Sequence, residues 1–151
     1  MPLIKISAGL DMHYERDDYT DPWTTPETIL MLHGNAESSA VWYGWVPHLA
    51  RRYRVIRPDM RGFGRSTPMP REFPWSLDRI VDDYVELMQG LGLARAHLVA
   101  AKLGGHGRAA LCCALSRAGR NVDGGRHTTA QPRRASRDRA RMAGRLREER
   151  R

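Results

Sequence analysis

Along the first hundred positions, short apolar runs of strand length alternate with apolar stripes at helical spacing. Leu3-Ile4-Lys5-Ile6-Ser7 is a short β-prone run closed by Gly9, and Met12-His13-Tyr14-Glu15 after Asp11 reads as its hairpin partner. Arg16 to Glu27, with Asp17, Asp18, Asp21, Pro22 and Pro26, is a polar loop. Thr28-Ile29-Leu30-Met31-Leu32 is continuously apolar after its first residue, the pattern of a strand covered on both faces. Trp42, Trp45, Val46 and Leu49 then fall at helical spacing; Pro47 places the helix start near Trp45, and Arg51-Arg52 suit its C-terminal end. Both tryptophans are read as packing residues, because a helical apolar stripe faces a core. Tyr53-Arg54-Val55-Ile56-Arg57 is the next strand.

A loop with Pro68, Pro70 and Pro74 ends at Ser76, an N-cap with Asp78 in the first turn. Leu77, Ile80, Val81, Tyr84, Leu87, Met88 and Leu91 recur at three and four, predicting an amphipathic helix that stops at Gly90-Leu91-Gly92. Asp82, Asp83 and Glu86 are assigned to its wet face. Ala96-His97-Leu98-Val99 is a last strand, running into Gly104-Gly105. Strands near 28–32, 53–57 and 96–100, separated by helices and preceded by a hairpin, predict a three-layer α/β segment with a mostly parallel sheet over residues 3 to about 105.

Charge divides the chain at the same point. Through Gly105 there are 12 Lys and Arg against 13 Asp and Glu, whereas His106 to Arg151 holds 13 Arg, no Lys and 4 acids, so the net +8 arises entirely after Gly105. Gly107 to Arg117 can extend a short helix, but beyond it Leu, Ile, Val and aromatics almost vanish, and such a segment is expected to be disordered because it buries too little surface to offset its ordering entropy. The expected division is therefore 1–115, structured, and 116–151, a basic tail. Arg, Ala, Gly and Pro make up 27 of the 46 residues after Gly105, the residues GC-rich codons encode, which reads as a shifted reading frame; the competing reading is an arginine-rich arm for nucleic acid. No run approaches the roughly 18 apolar residues of a membrane span and no signal peptide is indicated, so a cytoplasmic chain without membrane partners is expected. Cys112 and Cys113, adjacent and without partners, give neither a disulfide framework nor a metal site. No metal or cofactor is expected, and the oligomeric state is left open.

Three segments after strands carry candidate chemistry. His33-Gly34-Asn35 follows the first buried strand, Asp59-Met60-Arg61-Gly62-Phe63-Gly64-Arg65-Ser66 follows the second, and Ala100-Ala101-Lys102-Leu103-Gly104 follows the third. Taken singly, the first is equally a strand-ending turn, and Asp59 and Arg61 are equally a surface pair. Taken together at these spacings, they resemble the oxyanion loop, the D-x-R-G-x-G-x-S loop and the nucleophile elbow of the α/β-hydrolase superfamily, of the esterase, lactonase and haloalkane dehalogenase type. The resemblance covers residues 3 to 105, roughly the first two fifths of such an enzyme, and implies an incomplete α/β-hydrolase fold acting on a small-molecule substrate. It also implies oxyanion donors at the backbone amides of Asn35 and Leu103, with His33 and Gly34 shaping the loop and the Asn35 side chain suited to a leaving halide.

The elbow departs from the pattern at Lys102, which stands where Ser, Asp or Cys would stand. Three readings follow: a member of the superfamily without hydrolytic turnover, a Schiff-base amine freed by a dry helix N-terminus, or an elbow that has drifted. A triad also needs a base and an acid, and His106 and His127 lie in or beside the basic segment, so the polypeptide is expected to be inactive.

Overall fold

The computed structural model describes residues 2–7 and 9–101. Lys102, Leu103, the Arg-rich segment and the boundary expected at 115 lie outside the described residues.

Five strands form one mixed sheet in the order β1-β2-β4-β3-β5: β1 Leu3–Lys5, β2 Asp11–Asp17, β3 Thr28–Leu32, β4 Arg54–Pro58 and β5 His97–Ala100. The hairpin β1–β2 is antiparallel, as expected, with Ile4 opposite Met12. Gly9 turns it at a φ of +83°, a conformation that a residue without Cβ adopts readily. The longer β2 also pairs antiparallel with β4, while β3 lies parallel to both β4 and β5. Since β4 and β5 flank β3 on opposite sides, the right-handed crossovers β3-to-β4 and β4-to-β5 place their helices on opposite faces.

This makes three layers. On one face α2, Leu77–Gly90, buries Ile80, Val81, Tyr84, Leu87 and Met88 against Leu30, Leu32 and Ile56. On the other face, Trp42 and Val46 cover Ile29, Met31 and Val55. Consecutive residues of β3 thus alternate between two apolar cores, which explains its unbroken apolar run. Ser76 caps α2, its hydroxyl accepting the Arg79 amide at 3.1 Å, and Gly92 closes the helix at a φ of +65°.

Two expectations change. The helix expected from near Trp45 is a 3-10 turn, Ser39–Trp42, followed by a single helical turn, α1, Val46–Leu49. Trp42 packs in the core, but Trp45 is 56% exposed and only meets the edge of Trp42. A stripe at helical spacing faces one way only in a continuous helix, and the break between the two turns swings Trp45 outward. Asp83 is not on the wet face of α2: it is 1% exposed, because the loop after β4 lays Arg61 against it.

Candidate active-site edge

The three segments singled out in the sequence leave the C-terminal ends of β3, β4 and β5, the edge at which open α/β sheets bind ligands. The structure brings the first two together and delivers the chain to the third. The Ala101 amide donates to the Leu32 carbonyl at 3.1 Å, so the residue before Lys102 lies beside the residue before His33.

His33 is 1% exposed and both ring nitrogens are engaged. The Met60 amide can only donate, so Nε2 accepts it, at 2.8 Å; the ring proton then sits on Nδ1 and goes to the Gly34 carbonyl at 2.7 Å. His33 therefore ties the loop after β3 to the loop after β4 rather than presenting a nitrogen at the edge. The Gly34 amide is turned inward to the Glu37 carboxylate at 2.9 Å, and Ala36 holds the turn at a φ of +58°, costly for a residue with a Cβ. Asn35, between them, is exposed, and among the described residues its amide meets no acceptor. Glu37 carries no signal in a three-residue motif; its distance of three from Gly34 is the only hint.

Asp59 anchors the second loop. Its buried carboxylate accepts the amides of Ser39 at 2.6 Å and Arg65 at 3.0 Å, and His13 Nδ1 at 2.9 Å. Burial alone would raise the Asp59 carboxyl, but the amides of Ser39 and Arg65, with help from the Ser39 hydroxyl and His13, outweigh it and hold the group below the usual carboxylate range. Gly64, at a φ of +55°, lets the chain close on that carboxylate, since a Cβ there would collide with it. The Ser66 hydroxyl donates to the Asp59 carbonyl at 2.6 Å and accepts the His13 amide at 2.9 Å.

Arg61 does not pair with Asp59. It crosses to α2 and grips Asp83, leaving its guanidinium 4.8 Å from the Phe73 ring centroid. Asp83 holds Arg61 above its ordinary value, against the pull of burial. Behind the loops, Arg57 is buried on the sheet, donating to Asp17 at 2.8 Å and to the Ser39 carbonyl at 2.8 Å, under the Tyr43 ring. The D-x-R-G-x-G-x-S block is thus a clamp: every polar side chain named in it is used to fix the loop.

Clefts of about 500 Å³ beside Asp18 and Arg54 and about 230 Å³ beside Glu27 and His97 open at the other, N-terminal ends of the parallel strands. Among the described residues no group of His, Cys, Asp and Glu is arranged to hold a metal ion. No helix among them is long and apolar enough to cross a membrane.

A mixed sheet in this strand order, with a His-Gly-Asn turn and a glycine-opened Asp59 loop side by side at its C-terminal edge, defines a protein of the α/β-hydrolase class. The chain belongs to the family described as alpha/beta hydrolase fold, whose pattern matches residues 27–115. It is similar to the pimeloyl-[acyl-carrier protein] methyl ester esterase of Aeromonas hydrophila, 38% identical over 77 residues, 51% of this chain and 28% of that protein. It is also similar to a fluoroacetate dehalogenase of Burkholderia, 36% identical over 80 residues, 51% of this chain and 26% of that protein. Its fold superposes on the crystal structure of an enol-lactonase from Burkholderia xenovorans with a TM-score of 0.66 at 27% identity, covering 74% of this chain and 41% of that one. The chain spans about a third or less of the length of the curated relatives it matches.

Proposed function

We propose that this chain carries the oxyanion side of a hydrolase acting on small esters, lactones or haloalkanes, and that the 151-residue polypeptide turns none of them over appreciably. The support for the first half is the Asn35 amide, which meets no acceptor among the described residues and lies three residues after Leu32, whose carbonyl accepts the Ala101 amide. The support for the second is one residue: Lys102 comes next in the chain after Ala101, whose amide donates to Leu32, and stands in the sequence where the elbow of the family carries its nucleophile. An ammonium can neither attack a carbonyl nor displace a halide, and an oxyanion donor without a nucleophile gives only residual catalysis. The test is an assay of monodisperse protein with p-nitrophenyl acetate, a small lactone and a short haloalkane, beside Lys102→Ala. Turnover well above buffer that Lys102→Ala abolishes would refute the proposal and make Lys102 a catalytic residue.

The 13 Arg after His106 favour a second reading, an arm that neutralises nucleic-acid phosphates. It requires binding to duplex DNA or RNA that weakens steeply with salt and is lost when the chain is cut after Gly105. Binding that survives the cut excludes it.

A further inference from the structure

We infer that the outer side of the two short turns after β3, with Tyr43 and Trp45 at its centre and Arg51 and Arg52 at its end, is a docking surface for an anionic lipid bilayer. The inference is independent of whether the chain hydrolyses anything.

From Ser39 on, the residues that face the sheet recur at helical spacing: Ser39, Trp42, Val46 and Ala50 are buried. The positions between them face outward, and they are not the polar residues that water favours. Val41, Tyr43 and Trp45 are 47%, 60% and 56% exposed, three of the seven large hydrophobic side chains exposed among the described residues, within five positions. Such residues scattered singly need no explanation, but a cluster of them marks a partner. Tyr43 keeps its exposure although its ring lies against Arg57, 4.8 Å from the centroid. A fourth, Tyr19, is carried to the C-terminal end of α1, where its amide donates to the Ala50 carbonyl at 2.9 Å, next to Arg51.

Charge names the partner. No Asp or Glu occurs between Glu37 and Asp59, a stretch that holds four Arg. Arg54 and Arg57 are paired with Asp18 and Asp17. Arg51 and Arg52 are exposed and enter no ion pair among the described residues. In the loop that carries Tyr19, Asp21 is the one exposed carboxylate outside an ion pair. The opposite side of the sheet is the reverse: Asp78 and Asp82 are exposed on α2, and its single arginine, Arg79, turns to Ser7 and Asp83. The molecule therefore meets an anionic plane with its α1 side.

A bilayer with anionic lipids satisfies both features. Tyr and Trp settle at the headgroup level, the ring body in an apolar layer and the polar atom in water, and arginines beside them meet lipid phosphates. Single-stranded nucleic acid also takes aromatic rings and cations, but it stacks bases on flat rings along a cationic groove, and Val41 offers no ring. Lying on a membrane needs no apolar run long enough to span it. The expectation of a chain without membrane partners rested on the lack of such a run and of a signal peptide.

The 13 Arg after His106 also draw the chain to an anionic vesicle, so the deciding readout is the depth of one ring rather than affinity alone. The experiment mixes the full chain with vesicles of phosphatidylcholine and phosphatidylglycerol whose acyl chains are brominated, and follows tryptophan emission. Variants are first matched to the parent by thermal melting. Expected is quenching in the parent that is mostly lost in Trp45→Ala and kept in Trp75→Ala, which removes the exposed ring at the start of α2. Arg51→Gln with Arg52→Gln, tail intact, weakens vesicle binding by about tenfold. A parent that binds without quenching, quenching that survives Trp45→Ala, or a double arginine variant that binds as tightly as the parent would each overturn the surface. So would lipid-free self-association that Trp45→Ala abolishes, which makes the partner a second copy. Trp45 emission that responds to poly(U) and not to the brominated vesicles would make the partner nucleic acid and overturn it as well.

Discussion

Arg61 and Asp83 meet through two parallel hydrogen bonds, Nε to Oδ2 at 2.8 Å and Nη2 to Oδ1 at 2.7 Å, with both side chains buried. This pair ties the loop after β4 to α2 and so joins the candidate active-site edge to the body of the domain. A buried pair gains little over apolar packing, but a buried charge left alone is costly. Arg61→Ala or Asp83→Ala should each lower stability by about 3–5 kcal/mol, and Arg61→Met with Asp83→Leu should recover most of the loss. Urea denaturation of the four proteins checks this; single variants within about 1 kcal/mol of the parent would show that the pair is not desolvated.

Gly64→Ala puts a methyl group into the Asp59 carboxylate and forces a residue with a Cβ to a φ of +55°. The expected cost is about 1–3 kcal/mol, from the backbone alone. Gly44, with open space at its Cβ position, is the control: Gly44→Ala should leave the melting temperature close to the parent's.

Trp42 and Trp45 sit three residues apart with different consequences. Trp42→Ala, in the core, should cost about 3–5 kcal/mol. Trp45→Ala should cost less than about 1 kcal/mol, mostly from the edge contact with Trp42. Equal losses in chemical denaturation would contradict the observed break between the 3-10 turn and α1.

Stability should fall in acid through identifiable groups. The Thr20 hydroxyl, with Arg54, brings the Asp18 carboxyl from 3.8 down to about 2 against the effect of burial, and Asp59 is also lowered. A carboxyl lowered by folding binds its proton less readily in the folded chain than in the unfolded one, so its contribution is present above pH 3.8 and is lost as pH falls toward 2 for Asp18. Denaturation midpoints measured down the pH scale should drop through this window, and the drop should be shallower in Asp18→Asn. Identical profiles for the two proteins would remove Asp18 from the account.

The amino-acid sequence by itself determined the order of the strands, the strand at 28–32, the capped helix from Leu77 and the two motif-bearing turns after β3 and β4. These depend on neighbours in the chain: periodicity, a serine before a helix, glycines where φ turns positive. It also placed His33-Gly34-Asn35 and the Asp59 loop at one sheet edge, because right-handed crossovers leave few alternatives. Only the tertiary structure decided what those polar residues do. Asp83 looks like a wet-face residue until Arg61, 22 positions away, arrives from another loop. His13 looks like one more strand residue until Asp59, 46 positions away, closes on it. His33 reads as a site residue, yet its ring is consumed by the backbone on both sides. A side chain's local spacing sets the face on which it starts, whereas burial and hydrogen-bond partners depend on chain segments that only folding brings within about 3 Å.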